Sequence, residues 1–252
     1  MSKHPTSILI TGASSGIGAA LALVYAGPNV DLFLSGRDQN RLIKIAQACR
    51  EKGAKVFEQT ISVTDQSAMA TWILDADSQA PLDLVVANAG ISGGSDSQNE
   101  ELSRQIFATN VDGVLNTVLP IIPRMISRKR GQLALMSSLA GFRGLPSAPA
   151  YSASKAAVRS YGEALRGSLS NDGIKVSVIC PGFVESRITE KNKFYMPLLM
   201  TAPKAANIIK MGLANNKPRI AFPFLMYAVV WLMSALPTML MDPIVNRLPK
   251  KK

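Results

Sequence analysis

The chain has 252 residues, 47% of them hydrophobic, which suits one large α/β domain, and no Pro/Ser-rich linker or internal repeat divides it. A single histidine, His4, and two distant cysteines, Cys49 and Cys180, argue against a His-rich metal site, a zinc dehydrogenase centre or a Ser-His-Asp triad whose histidine follows its serine; no metal is expected. The net charge of +11 is uneven: Arg187 to Lys252 carries 11 Lys/Arg against 2 acids (+9), the first 186 residues 17 against 15 (+2), and without a basic face interleaved with aromatics no nucleic-acid partner is expected.

The N-terminal MSKHPTS passes into a strand-like run without an apolar leader core, so a reduced, cytoplasmic setting without disulfides is expected. Short apolar runs follow at 7–11, 30–35, 55–61, 82–88, 132–137 and 174–180, with RIAFP at 219–223 a candidate seventh. Several are continuously apolar, as strands buried on both faces are. Helical patterns at 16–27, 38–52, 65–77, 99–128 and 150–170 alternate with them. This β-α order predicts a single-domain Rossmann fold: a doubly wound, mostly seven-stranded parallel sheet with helices on both faces and ligands beyond the carboxyl ends of the strands.

At the first such end, Thr11 to Gly18 reads TGASSGIG. Gly12 to Gly16 satisfies G-x-S-x-G, the elbow of a hydrolase serine, but no histidine follows position 4 to serve Ser14 as base. The same residues suit a phosphate loop: Gly12 permits a tight turn, Gly16 and Gly18 remove side chains where backbone and phosphate approach, and the next helix points its amides at an anion. A glycine turn without a ligand has the same spacing.

Farther along, Ser138 ends the fifth strand run, thirteen residues before Tyr151, and YSASK places the Tyr151 phenol and the Lys155 ammonium four apart on one helix face. An ammonium near a phenol favours its ionised form and would lower the tyrosine pKa toward the range of a general acid/base. Ser152 to Lys155 also fits S-x-x-K of penicillin-binding enzymes, but the K-T-G and S-D-N partners are missing.

From about Ile8 to Ser186 the sequence resembles the short-chain dehydrogenase/reductase family. TGASSGIG is similar to its TGxxxGxG pyrophosphate loop, and ANAG at 87–90 to NNAG, with Ala87 for the first Asn. ATNVDG, LMSSLAG and YSASK supply Asn110, Ser138, Tyr151 and Lys155, and PGFVES at 181–186 resembles PGxxxT. The resemblance implies that Tyr151 exchanges a proton with a substrate oxygen during hydride transfer. Lys155 would lower its pKa and hold the nicotinamide ribose, Ser138 would orient the substrate and Asn110 would support a water relay. It implies cofactor contacts from Thr11, Gly12, Ser14, Ser15, Gly16, Ile17, Gly18, Arg37, Ser62, Val63, Asn88, Ala89, Gly90, Tyr151, Lys155, Pro181, Gly182, Val184 and Ser186. Ser62-Val63 stands where the family usually has Asp-Val.

Gly36 sits where related NAD enzymes carry Asp, and Arg37 follows, so NADP(H) is preferred, with NAD(H) the alternative and Asp38 readable as a helix cap. The expected division is 1–219, an NADP-binding catalytic domain with a substrate lid at about 183–200, and 220–252, an apolar extension with a basic tail. The run FYMPLLM at 194–200 suits a hydrophobic alcohol or carbonyl, though ordinary lid packing would use the same residues. Ile220 to Met241 holds 22 uncharged residues before Arg247 and Lys250 to Lys252. Docking at the cytoplasmic face of a membrane, a dimer surface or packing over the cleft all fit this pattern, with spanning less favoured because Pro223 and Pro237 interrupt it. A homo-oligomeric NADP-dependent oxidoreductase is the leading expectation; the alternatives are a 3-oxoacyl-thioester reductase and a catalytically idle NADP-binding sensor or scaffold.

Overall fold

The structure, a computed structural model, describes residues 5–93, 99–190 and 194–245. His4 and the basic residues Arg247 and Lys250 to Lys252 lie outside them. The order along the chain is β1 (Ser7–Thr11), α1 (Gly16–Tyr25), β2 (Asp31–Gly36), α2 (Gln39–Glu51), β3 (Lys55–Thr60), α3 (Gln66–Gln79), β4 (Leu84–Ala87) and α4 (Glu100–Phe107). A π-helical turn (Ala108–Asp112), α5 (Gly113–Val118), α6 (Ile122–Ser127), β5 (Gly131–Met136), α7 (Pro149–Ser168) and β6 (Ile174–Pro181) come next. The chain continues through α8 (Arg187–Glu190), α9 (Ala202–Ala214), β7 (Arg219–Phe222), α10 (Phe224–Ala235) and α11 (Thr238–Val245).

The seven strands form one sheet in the order β3-β2-β1-β4-β5-β6-β7, every adjacent pair parallel. This is the single-domain Rossmann architecture expected from the β-α alternation. Strands buried on both faces are largely apolar, and all five residues of β1 are buried, with Ser7 and Thr11 at its ends hydrogen-bonded through their hydroxyls. Leu21, Leu42, Ala205 and Ile209 pack on one side of the sheet, and Met69, Ile73, Val118 and Met125 on the other.

Two details differ from the sequence reading. The helical pattern over 99–128 is broken by the π-helical turn and by a turn before α6. Helix α9, which packs its Ala205, Ala206 and Ile209 against the sheet, adds a helix that the sequence reading does not include. In addition, β7 spans Arg219–Phe222, so a boundary after residue 219 would fall inside a strand.

Candidate active site

Chain order reverses between β1 and β4, because the first crossovers move outward to β3 and the later ones to β7. The loops leaving these two strands therefore diverge and open a crevice. Among the described residues, a cavity of about 820 Å³ occupies it, walled by the loop after β1, the ends of β2 and β4, the β5–α7 connection, the segment after β6 and one side of α10.

The floor is a knot of hydrogen bonds between β1 and β4. Thr11, 1% exposed, accepts at Oγ1 from the amides of Asn88 (3.1 Å) and Ala89 (3.2 Å). The Asn88 side-chain amide donates back to the carbonyls of Thr11 (2.9 Å) and Gly12 (3.3 Å). Gly12 lies at φ +67°, and a Cβ there would sit 2.8 Å from the Ala89 Cα. Gly18 is a layer below: a Cβ would come within 2.4 Å of both the Gly12 carbonyl and Asn88 Nδ2. Thr11 and Gly18 thus shape the loop without lining the cavity, whereas Gly12, Ser14, Ser15, Gly16 and Ile17 face it. Ser15 caps α1 with extended backbone and no side-chain cap bond, which leaves the first-turn amides of the helix at the cavity wall.

At the end of β2, Gly36 lies against Ser14, whose Cβ and Oγ would be 3.1 Å from any Cβ at position 36. Arg37 is exposed and lines the cavity. Asp38 is committed: it accepts from the Arg41 amide (3.0 Å) as the cap of α2 and pairs with the Arg41 guanidinium (2.8 Å). Arg41, absent from the sequence reading, also lines the cavity. Its Nε and the Ser35 Oγ are buried there without protein partners. Ser62 lines the wall beside them, and Val63 packs on Gly113.

Opposite, α7 starts at Pro149, whose missing N–H costs nothing in the first turn. Its register brings Tyr151 and Lys155 to the cavity. A Cβ on Gly141 would meet the Lys155 backbone at 2.7 Å, so this glycine lets the chain after β5 lie on α7 and present Ser138 to Tyr151. The Ser138 hydroxyl stands beside the phenol, accepts from the Ala140 amide (3.1 Å) and donates to the Pro181 carbonyl (3.4 Å). Lys155, 3% exposed, donates from Nζ to the Met136 carbonyl (2.9 Å), with Nζ 5.8 Å from the Tyr151 ring centroid.

These surroundings correct one expectation. Burial raises the Tyr151 phenol above its ordinary 10, and the Ser138 hydrogen bond opposes this only in part. Lys155, itself lowered by burial to a pKa of about 8 and directed at the Met136 carbonyl, does not reverse this rise. The phenol is neutral at neutral pH, the form of a proton donor.

Asn110 is fully buried on the π-helical turn, a device common at functional sites. Its Oδ1 accepts from the Ile91 amide (2.8 Å), and its Nδ2 donates to the Ile91 carbonyl (2.9 Å) and Ser154 Oγ (3.0 Å). The side chain ties the β4 loop to α7 and does not face the cavity. A Cβ on Gly90 would meet Asn110 Oδ1 at 3.2 Å and Lys155 Nζ at 3.3 Å, both tight contacts. On the far wall stand Pro181, Gly182, Val184 and Ser186. Thr189, unmarked in the sequence, accepts from the Ser186 amide (2.8 Å) and holds that turn.

The comparisons with known proteins agree with this geometry. The short chain dehydrogenase family model matches residues 6–194. The chain belongs to the short-chain dehydrogenase/reductase family. It is an NAD(P)-dependent dehydrogenase/reductase. A relative named "Uncharacterized oxidoreductase" from Myxococcus xanthus is 39% identical over 243 residues, covering 95% of this chain and 96% of its own. "Ketoacyl reductase HetN" from Nostoc is 29% identical, covering 85% of this enzyme and 77% of the relative. The solved short-chain dehydrogenase from Sphingobium yanoikuyae in complex with NADPH is 27% identical with a TM-score of 0.79, covering 91% of the enzyme and 96% of that chain.

Proposed function

We propose that this enzyme uses NADP(H) to interconvert a hydrophobic alcohol and its carbonyl, with Tyr151 as general acid/base. The observation that carries the reading is one cavity in which a neutral phenol, beside the Ser138 hydroxyl, faces apolar walls from Leu139, Leu145, Phe183, Phe194, Met226 and Met233.

The residues fit a nicotinamide dinucleotide. Glycines 12 and 16 hold open a cradle at the start of α1, and two orphaned buried polar atoms, Ser35 Oγ and Arg41 Nε, border the β2 end of the cavity. Gly12, Ser14, Ser15, Gly16 and Ile17 would hold the pyrophosphate. Ser62, Val63, Asn88, Ala89 and Gly90 would flank the adenosine half, and Pro181, Gly182, Val184 and Ser186 the nicotinamide half. Arg37, with Arg41, would take a 2′-phosphate: no acid is free to bind a 2′-hydroxyl, because Asp38 caps α2 and Ser14 crowds position 36.

When bound, the nicotinamide supplies or accepts the hydride. Tyr151 gives its proton to the substrate oxygen in the reductive sense and takes it back in the oxidative one. Ser138 orients the oxygen as its charge changes. Lys155 places a positive charge behind the phenol, and Asn110 positions the β4 loop and α7 relative to each other. Initial rates with NADPH and NADH on a panel of apolar aldehydes and ketones test the proposal; a clear NADH preference would overturn the role of Arg37 and Arg41.

A second reading, a 3-oxoacyl-thioester reductase, is favoured by the name of the Nostoc relative and by Arg143 and Arg187 on the cavity wall, which could receive an anionic thioester carrier. Acetoacetyl-coenzyme A in the same panel separates the two.

A further inference from the structure

Helix α10, FLMYAVVWLMSA, has no charged residue and no buried one. At 100° per residue its side chains divide into two apolar sides. Met226, Val229, Val230 and Met233 turn inward and line the cavity. On the opposite side Phe224, Leu225, Trp231 and Leu232 are 79, 66, 53 and 55% exposed, and Met239 and Leu240 of α11 extend the patch at 85 and 61%. A helix that is apolar all round belongs in a protein core or in lipid.

Its twelve residues rise about 18 Å, well short of the roughly 30 Å needed to cross a bilayer, so lying in the headgroup boundary is the geometry open to it. Charge selects the occupant. No acid occurs between Glu190 and Asp242, and Asp242 is paired with Arg143 at 3.1 Å. The sequence just past α11 carries Arg247, Lys250, Lys251 and Lys252. Anionic headgroups attract a sequence of this charge, whereas a second copy of the chain adds only like charge.

We propose that the outer face of α10 and α11 docks into the headgroup boundary of an anionic bilayer. Val229, which lines the cavity and is 51% exposed, then sets the rim toward the lipid, so that an apolar substrate enters without passing through bulk water. The route of entry rests on the hydrophobic-substrate reading above; the docking does not.

The test uses the full chain with Trp72→Phe, which leaves Trp231 as the reporter because the sequence holds two tryptophans. The probes are vesicles of phosphatidylcholine alone and of equimolar phosphatidylcholine and phosphatidylglycerol. Sedimentation with the mixed vesicles should exceed that with phosphatidylcholine by about tenfold or more, and fall with added salt. Trp231 emission should shift to the blue and be quenched by brominated lipid. L225N/L232N, two exposed residues outside the cavity, should lower partition by at least about tenfold while leaving thermal unfolding and turnover of a water-soluble substrate unchanged. No sedimentation with the mixed vesicles, or sedimentation indifferent to L225N/L232N, would overturn the proposal. So would a solution dimer that this double variant splits and vesicles leave intact, since the face then belongs to a second copy. Docking without activity on apolar carbonyls would instead defeat the substrate reading alone.

Discussion

Lys155→Met separates the cost of the buried ammonium from its use. Burial lowers Lys155 from its ordinary 10.5 to about 8, and at about 1.4 kcal/mol per pH unit the complete linkage amounts to about 3 kcal/mol. Below pH 8 folded and unfolded chains both hold the proton, and the folded state bears the whole cost of desolvating it. Between 8 and 10.5 the folded lysine is neutral while the unfolded one is still charged, so stability rises with pH through that window. Integrated from about pH 7 to about pH 9.5, the wild-type protein gains about 2 kcal/mol from this group. Methionine carries no proton and gains nothing, but it leaves the Met136 carbonyl without its 2.9 Å donor, at about 1–3 kcal/mol at either pH. The cofactor-free variant should therefore be as stable as wild type or more so near pH 7, lose about 2 kcal/mol of that relative standing near pH 9.5, and have little turnover at either pH. Urea denaturation of both proteins at the two pH values measures this, and titrations common to both cancel. A stability difference that moves by less than about 0.5 kcal/mol between them would refute the buried-charge account.

Four shorter tests follow from the site. Tyr151→Phe keeps the ring and should retain cofactor affinity by fluorescence titration while turnover drops by at least about 100-fold; Ser14→Ala should lose far less. Gly18→Ala puts a methyl 2.4 Å from the Gly12 carbonyl and should cost about 1–3 kcal/mol in denaturation and weaken cofactor binding through the displaced loop. Gly36→Asp must displace Ser14 and faces Arg37 and Arg41; the ratio of NADH to NADPH efficiency should rise by about tenfold or more. Far from the site, Asp77, 6% exposed, pairs with Arg128 (2.9 Å) and accepts from the Leu82 amide (2.9 Å), so Asp77→Ala should destabilise by on the order of 3 kcal/mol without altering the Michaelis constants.

Much of the enzyme is legible in one dimension because its determinants are local. The largely apolar runs at 7–11 and 174–180 form strands buried at every position but Lys175, and the glycines at 12 and 16 adopt positive φ, at 67° and 56°, that few other residues tolerate. The i, i+4 spacing of Tyr151 and Lys155 follows from helical pitch alone. Tertiary structure decided what depends on groups distant in sequence. The sign of the Tyr151 shift comes from burial, against the opposing effect of Ser138, since desolvation is set by everything packed around a group. Arg41 and Thr189 joined the site because a helix turn and a loop closed on the crevice, with no motif to mark them. In α10 composition showed an apolar segment, but only packing against the cavity showed that one side is a wall and the other is exposed, because a helix uniform in hydropathy carries no record of which face is covered.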